Sequence, residues 1–175
     1  MSAILEGAVV ESKAPPDNFS QQFGVLKRRE VEARILAPLI QAFAKEFGRE
    51  KVEKLLSETI VELAHAQGAD LAEDLGTTVD SFAESLRIWQ MDDAMEIEVI
   101  EKSETRFDFD VKRCRYAELY RELGIQELGA LLSCNRDFAL IEGFNPSAKL
   151  DRKKTIMAGD SCCTFRYTFP SKEQS

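Results

Sequence analysis

Histidine is almost absent from this chain. His65 stands alone, so no metal centre or proton relay built on paired imidazoles can be assembled from it. Neither Cys-x-x-Cys nor His-x-x-x-His spacing occurs, and there is no glycine-rich phosphate loop and no Gly-x-Ser-x-Gly turn. Zinc held by Cys134, Cys163 and His65 is the one metal arrangement to weigh, and no spacing supports it. No metal and no cofactor are expected. Nor does any apolar run approach the roughly 20 residues needed to cross a bilayer. The N-terminus lacks the basic-then-apolar pattern of a secretory leader, so the expected location is cytoplasmic, with Cys114, Cys134, Cys162 and Cys163 reduced. Basic residues are in deficit, 23 Lys and Arg against 31 Asp and Glu, for a net charge of −8. Such a surface repels phosphate backbones and anionic lipid, which leaves a small molecule, rather than nucleic acid or membrane, as the expected partner.

What is present is ordinary globular chemistry. With 44% hydrophobic and 31% charged residues over 175 positions, the chain suits one core burying about 70% of the surface its unfolded form exposes. Residues 1–20, with Pro15 and Pro16 and little apolar periodicity, read as an N-terminal arm, and residues 21–175 as a single domain. Val31, Ile35, Leu39, Ile40, Phe43 and Phe47 recur at helical spacing and predict a core-facing helix, kinked or restarted at Pro38 and ended by Gly48. Val52, Leu55, Leu56, Ile60 and Leu63 predict a second helix stopping near Gly68, followed by a short helical turn at residues 70–74. Val79, Phe82, Leu86 and Trp89 form the face of a third.

The period then changes to two. Met95, Ile97 and Val99 alternate with Glu96 and Glu98, and Phe107, Phe109 and Val111 with Asp108 and Asp110, which predicts a hairpin with its acidic side in water. Helical faces return at Tyr116–Leu123 and Ile125–Ser133. A last strand pair is expected between Lys149 and Phe169, with Cys163, Phe165, Tyr167 and Phe169 on the inward face. The expected fold class is α+β: N-terminal helices packed on an antiparallel sheet of about four strands. The surplus of apolar residues in the N-terminal helix pair predicts a homo-oligomer.

Reactive side chains crowd into residues 131–169. Cys134-x-x-Asp137, Gly143-Phe144-Asn145-Pro146, Arg152-x-x-Thr155 and Gly159-Asp160-x-x-Cys163-x-Phe165 follow one another there. In order and spacing they resemble the C-terminal signature of the L-2-amino-thiazoline-4-carboxylic acid hydrolase family, and Lys27-Arg28-Arg29-Glu30-Val31-Glu32-Ala33 resembles that family's helix opening. The resemblance implies hydrolytic opening of a small cyclic amidine or amide at the carbon between two heteroatoms. It implies Cys134 and Cys163 as nucleophile candidates, with Asp137 one helical turn from Cys134 as a base. Each thiol has the competing role of a small buried hydrophobe. His65, at the end of the second predicted helix, is a candidate base or a simple dipole partner.

Among Arg136, Arg152 and Arg166, Arg152 falls on the motif and is the candidate to hold a substrate carboxylate. Asn145 is either a pocket donor or a turn former, and Asp160 and Trp89 complete the substrate-binding candidates. The ending Gly159-Asp160-x-x-Cys163-x-Phe165 is also similar to vinyl-reductase-like ligand-binding domains of regulators. A non-catalytic sensor is therefore the alternative function, and a subunit that assembles with an enzyme is a third.

Overall fold

The computed structural model describes residues 18–171, so the expected arm lies outside the described residues except for its last three positions. Those already belong to α1, Asn18–Phe47, which runs through Pro38. Its one irregular position is Gly24, with φ 74°. Pro38 is exposed, so water can satisfy the carbonyl that its missing N–H leaves free. The face that α1 buries differs from the expected one. Val31, Ile35, Leu39, Phe43 and Phe47 remain 46–60% exposed, while Val25, Ala33, Ala37 and Ile40 are covered. Small side chains let α1 lie close to its neighbours, and its alanines share a core with Ile60, Ala117 and Tyr120. Hydrophobicity alone pointed to the larger residues; close approach selected the smaller ones.

The second helix, α2, is a single element spanning Arg49–Leu75 and does not stop at Gly68. Gly68 is buried where α2 meets α7, Arg136–Phe144. A Cβ at Gly68 would lie 2.1 Å from the Leu140 carbonyl oxygen, and one at Gly143 would lie 2.0 Å from that of His65. Both distances are impossible between non-bonded atoms, so the two glycines permit backbone-to-backbone contact rather than ending a helix. Leu55 and Leu63, expected inside, are exposed on the far side of α2.

The third predicted helix divides at Leu86 into α3, Val79–Ser85, and α4, Arg87–Gln90. Thr78 caps α3 by accepting from the Ser81 N–H at 3.2 Å. The expected hairpin is β1, Met95–Lys102, with β2, Arg106–Cys114. It is followed by α5, Arg115–Glu122, a short α6, Gln126–Gly129, and a π turn, Ala130–Cys134, leading into α7. Strands β3, Lys149–Asp151, and β4, Cys163–Thr168, complete a four-stranded antiparallel sheet in the order β1-β2-β4-β3. The architecture is α+β, and no helix of the described residues is long and apolar enough to cross a membrane.

The inner face of the sheet packs on α3 and α7. Phe82 lies 4.8 Å from Tyr167 and 5.1 Å from Phe144, ring centre to ring centre, and each such buried side chain contributes about 1.5–3 kcal/mol. The outer face is less wet than predicted. Asp108 is only 5% exposed and accepts from Arg106 at 2.6 Å, while Asp110 accepts from Arg166 at 2.7 Å and Lys112 at 3.2 Å. The Arg166 hydrogen bond holds the Asp110 carboxyl below its ordinary range. Arg166 thus serves this outer ladder of charges and is not available to a ligand on the inner side.

Candidate active site

Between the inner face of the sheet, α1 and the start of α7 lies a cavity of about 80 Å³. It has room for a few waters or a small ligand. One wall is aromatic and apolar, from Phe109, Phe165, Tyr167 and Trp89; the other carries Cys134, Asp137 and three guanidinium groups. Trp89 is held there by its own carbonyl, which accepts from the Tyr116 hydroxyl at 2.9 Å.

The π turn brings Cys134 to the polar wall. Its wider winding closes with the Asn135 N–H donating to the Ala130 carbonyl at 2.9 Å. The Asn135 side chain donates to the Ser57 hydroxyl at 2.9 Å and so ties the turn to α2. Cys134 ends this turn and Asp137 lies in the first turn of α7, so both reach the cavity.

Arg152, the expected holder of a substrate carboxylate, has a side chain only 8% exposed. It follows directly on β3, whose pairing with β4 carries it inward. One terminal nitrogen donates to the Asp137 carboxylate, and the other donates to the Cys134 carbonyl at 3.0 Å. The guanidinium lies 5.0 Å from the Phe138 ring centre and 5.5 Å from that of Phe165, a cation–π arrangement that fixes its plane. Its Nε is buried with no hydrogen-bond partner.

Protonation runs against an activated thiolate. Burial pushes the Cys134 thiol up to about 12 and the Cys163 thiol up to about 11. The latter sulfur accepts from the Ile156 N–H at 3.2 Å, which is too little to offset its desolvation. Burial also raises the Asp137 carboxyl, against the pull of Arg152. At neutral pH both thiols are protonated, whereas a carboxylate with a raised pKa is a better proton acceptor than an ordinary one.

The structure therefore brings Cys134, Asp137, Cys163, Arg152 and Trp89 to one cavity and leaves three other candidates elsewhere. His65 is exposed. Because α2 continues to Leu75, it sits in the helix interior, away from the terminal carbonyls with which it was expected to interact. Asn145 makes a turn: its amide donates to the Thr77 carbonyl at 3.0 Å and its side-chain oxygen accepts from the Ser147 N–H at 3.0 Å. Asp160 likewise closes a turn by accepting from the Thr155 N–H at 2.9 Å. Among the described residues no group of three or more His, Cys, Asp or Glu is arranged to hold a metal ion.

Sequence reasoning missed Arg29, Cys114 and Tyr116, which also line the cavity. A signal for Arg29 existed. Val25, Arg29, Ala33 and Ala37 recur every four residues, so a charge on that stripe faces inward once the stripe is recognised as the buried one.

A profile of the L-2-amino-thiazoline-4-carboxylic acid hydrolase family matches residues 28–167, a span that contains every cavity residue named here except Val25. The chain belongs to that family. Comparison with curated proteins gives no match. Among solved structures, the family member is similar to trafficking protein particle complex subunit 3 from Naegleria fowleri covalently bound to palmitic acid. The two are 15% identical over 82% of this chain and 96% of that one, with a TM-score of 0.47. It is also similar to the phenol-responsive sensory domain of the transcription activator PoxR with phenol, 11% identical over 80% of this chain and 74% of that one, TM-score 0.48.

Proposed function

We infer that this chain is a hydrolase that opens a small heterocyclic ring, a cyclic amidine or amide of the thiazoline-carboxylate kind. The observation that carries this is a raised, cavity-facing Asp137 carboxylate held in place by Arg152, in a chain of the thiazoline-carboxylate hydrolase family. A water molecule between Asp137 and the ring carbon flanked by two heteroatoms loses a proton to the carboxylate as its oxygen bonds to that carbon. The adduct collapses by breaking one ring bond from that carbon, to sulfur or nitrogen. The proton held by Asp137 passes to the departing heteroatom, leaving a carbamoyl-type product. Cys134 and Cys163, as neutral thiols, border and orient the water.

Incubating the purified full chain with L-2-amino-thiazoline-4-carboxylate and following ring opening by chromatography tests this. Turnover that tracks the protein through purification is expected. Binding without turnover would replace the hydrolase with the non-catalytic sensor.

The exposed stripe Val31, Ile35, Leu39, Phe43 and Phe47 on α1 supports a homo-oligomer, since a row of exposed large apolar side chains along one helix is a surface suited to a partner. Light scattering at micromolar concentration should give at least twice the chain mass of 19.7 kDa, and a monomer would sink the idea. Free cysteines suit a reducing cytoplasm.

A further inference from the structure

The positive charges around the cavity do not balance. Arg152 is paired with Asp137, and Arg29, 3% exposed, is paired with Glu32. Arg136 also lines the cavity, yet among the described residues it has no hydrogen bond and no ion pair. An unpartnered guanidinium in a largely enclosed space is costly, and it is conspicuous in a chain of net charge −8. Burial together with Arg29 lowers its pKa to about 10, against the pull of Glu32, so it remains charged at neutral pH with no anion in direct contact. Arg152 is poorly placed for that task because both its terminal nitrogens are engaged.

We propose that Arg136, with Arg29 beside it, forms the subsite for a carboxylate on the substrate and sets specificity for rings that carry one. A planar guanidinium is suited to a carboxylate because it can donate two parallel hydrogen bonds. Arg136 and Asp137 are consecutive in the first turn of α7, so their side chains diverge by about 100° around the helix. A ring anchored at Arg136 can then lie across to the carboxylate that handles the water. A cavity of about 80 Å³ restricts the anion to a small molecule. The ring-opening role of the ligand rests on the function inferred above; the anion subsite does not.

Calorimetric titration of the purified full chain with three probes tests it. The probes are L-2-amino-thiazoline-4-carboxylate, 2-amino-thiazoline without the carboxylate, and tetrahydrofuran-2-carboxylate, a ring acid with no amidine to open. The wild-type chain should bind both acids on the order of 10–100-fold more tightly than the ring that lacks the carboxylate, the range of a charge-assisted contact. In Arg136→Gln that preference should vanish, and Arg136→Lys, a point charge without the fork, should restore part of it. The melting temperature of Arg136→Gln should equal or exceed that of wild type, because an uncompensated charge has been removed.

A preference that survives in Arg136→Gln, or one absent from wild type, overturns the subsite even where ring opening is observed. A fall in melting temperature also overturns it, since Arg136 would then be structural. Arg136-dependent binding of tetrahydrofuran-2-carboxylate, with the amino-thiazoline acid left intact, upholds the subsite and removes the ring-opening function.

Discussion

Asp137→Asn should lower kcat/KM for ring opening by roughly 10³-fold, chiefly through kcat, while Cys134→Ser should cost no more than about tenfold. Asparagine keeps the shape of the carboxylate and can still accept from Arg152, but it cannot take the proton of an attacking water. Serine at position 134 replaces one neutral, weakly polar group with another. The pH profile separates the two mechanisms further. Burial raises the Asp137 carboxyl, so activity should rise with pH as that group ionises and then stay flat. With the thiols at about 12 and about 11, attack by a thiolate would instead climb about tenfold per pH unit below those values. A climbing profile, joined to loss of activity in Cys134→Ser with Asp137→Asn still active, would establish cysteine as the nucleophile.

Arg152→Met should destabilise the fold by about 3–5 kcal/mol, because it leaves the Asp137 carboxylate without its counter-charge. For a chain of this size that is a loss of on the order of 10 °C in melting temperature. The methionine stem retains contact with Phe138 and Phe165, so the loss measures mainly the broken pair. The pH dependence has a definite sign. Burial holds the Asp137 pKa in the folded protein above its unfolded value, so the native state binds the proton more tightly. Stability from this group is greatest below the unfolded pKa and is lost as pH rises through the folded one. Removing Arg152 strengthens that bias, and the deficit in Arg152→Met should shrink as the solution is acidified from neutral pH. Thermal scans at several pH values that show no deficit at neutral pH would mean the pair contributes nothing.

Period-two alternation made the sheet legible in the sequence. Phe107, Phe109 and Val111 on β2, and Cys163, Tyr167 and Phe169 at β4, are buried as the pattern predicted, because side-chain direction in a strand follows directly from residue parity. Helix faces were less legible. On α1 two stripes compete, a large apolar one and a small one, and the smaller wins because neighbouring elements approach closely. The same effect misled at Gly68, where a missing side chain marks a crossing and not an end.

At the site, the motif cysteines, Asp137 and Arg152 could be named as candidates from the resemblance to the family's signature. What each one faces could not, since it depends on a π turn that adds a residue to the helical winding and on strand pairing that carries Arg152 inward. Asn145 and Asp160 belong to the same signature yet hold turns, so a motif position can preserve the scaffold of a site without entering it.

The contact between α2 and α7 has a further consequence. With Gly68 against Leu140 and Gly143 against His65, the two backbones pack directly on each other and set where α7 sits on α2. Asp137 stands at the opposite end of the same short helix. The crossing therefore acts as a datum from which the height of the carboxylate is measured, and the width of the cavity beside it is a tolerance inherited from it. Residues that never meet a ligand thereby share in deciding how large a ligand can be.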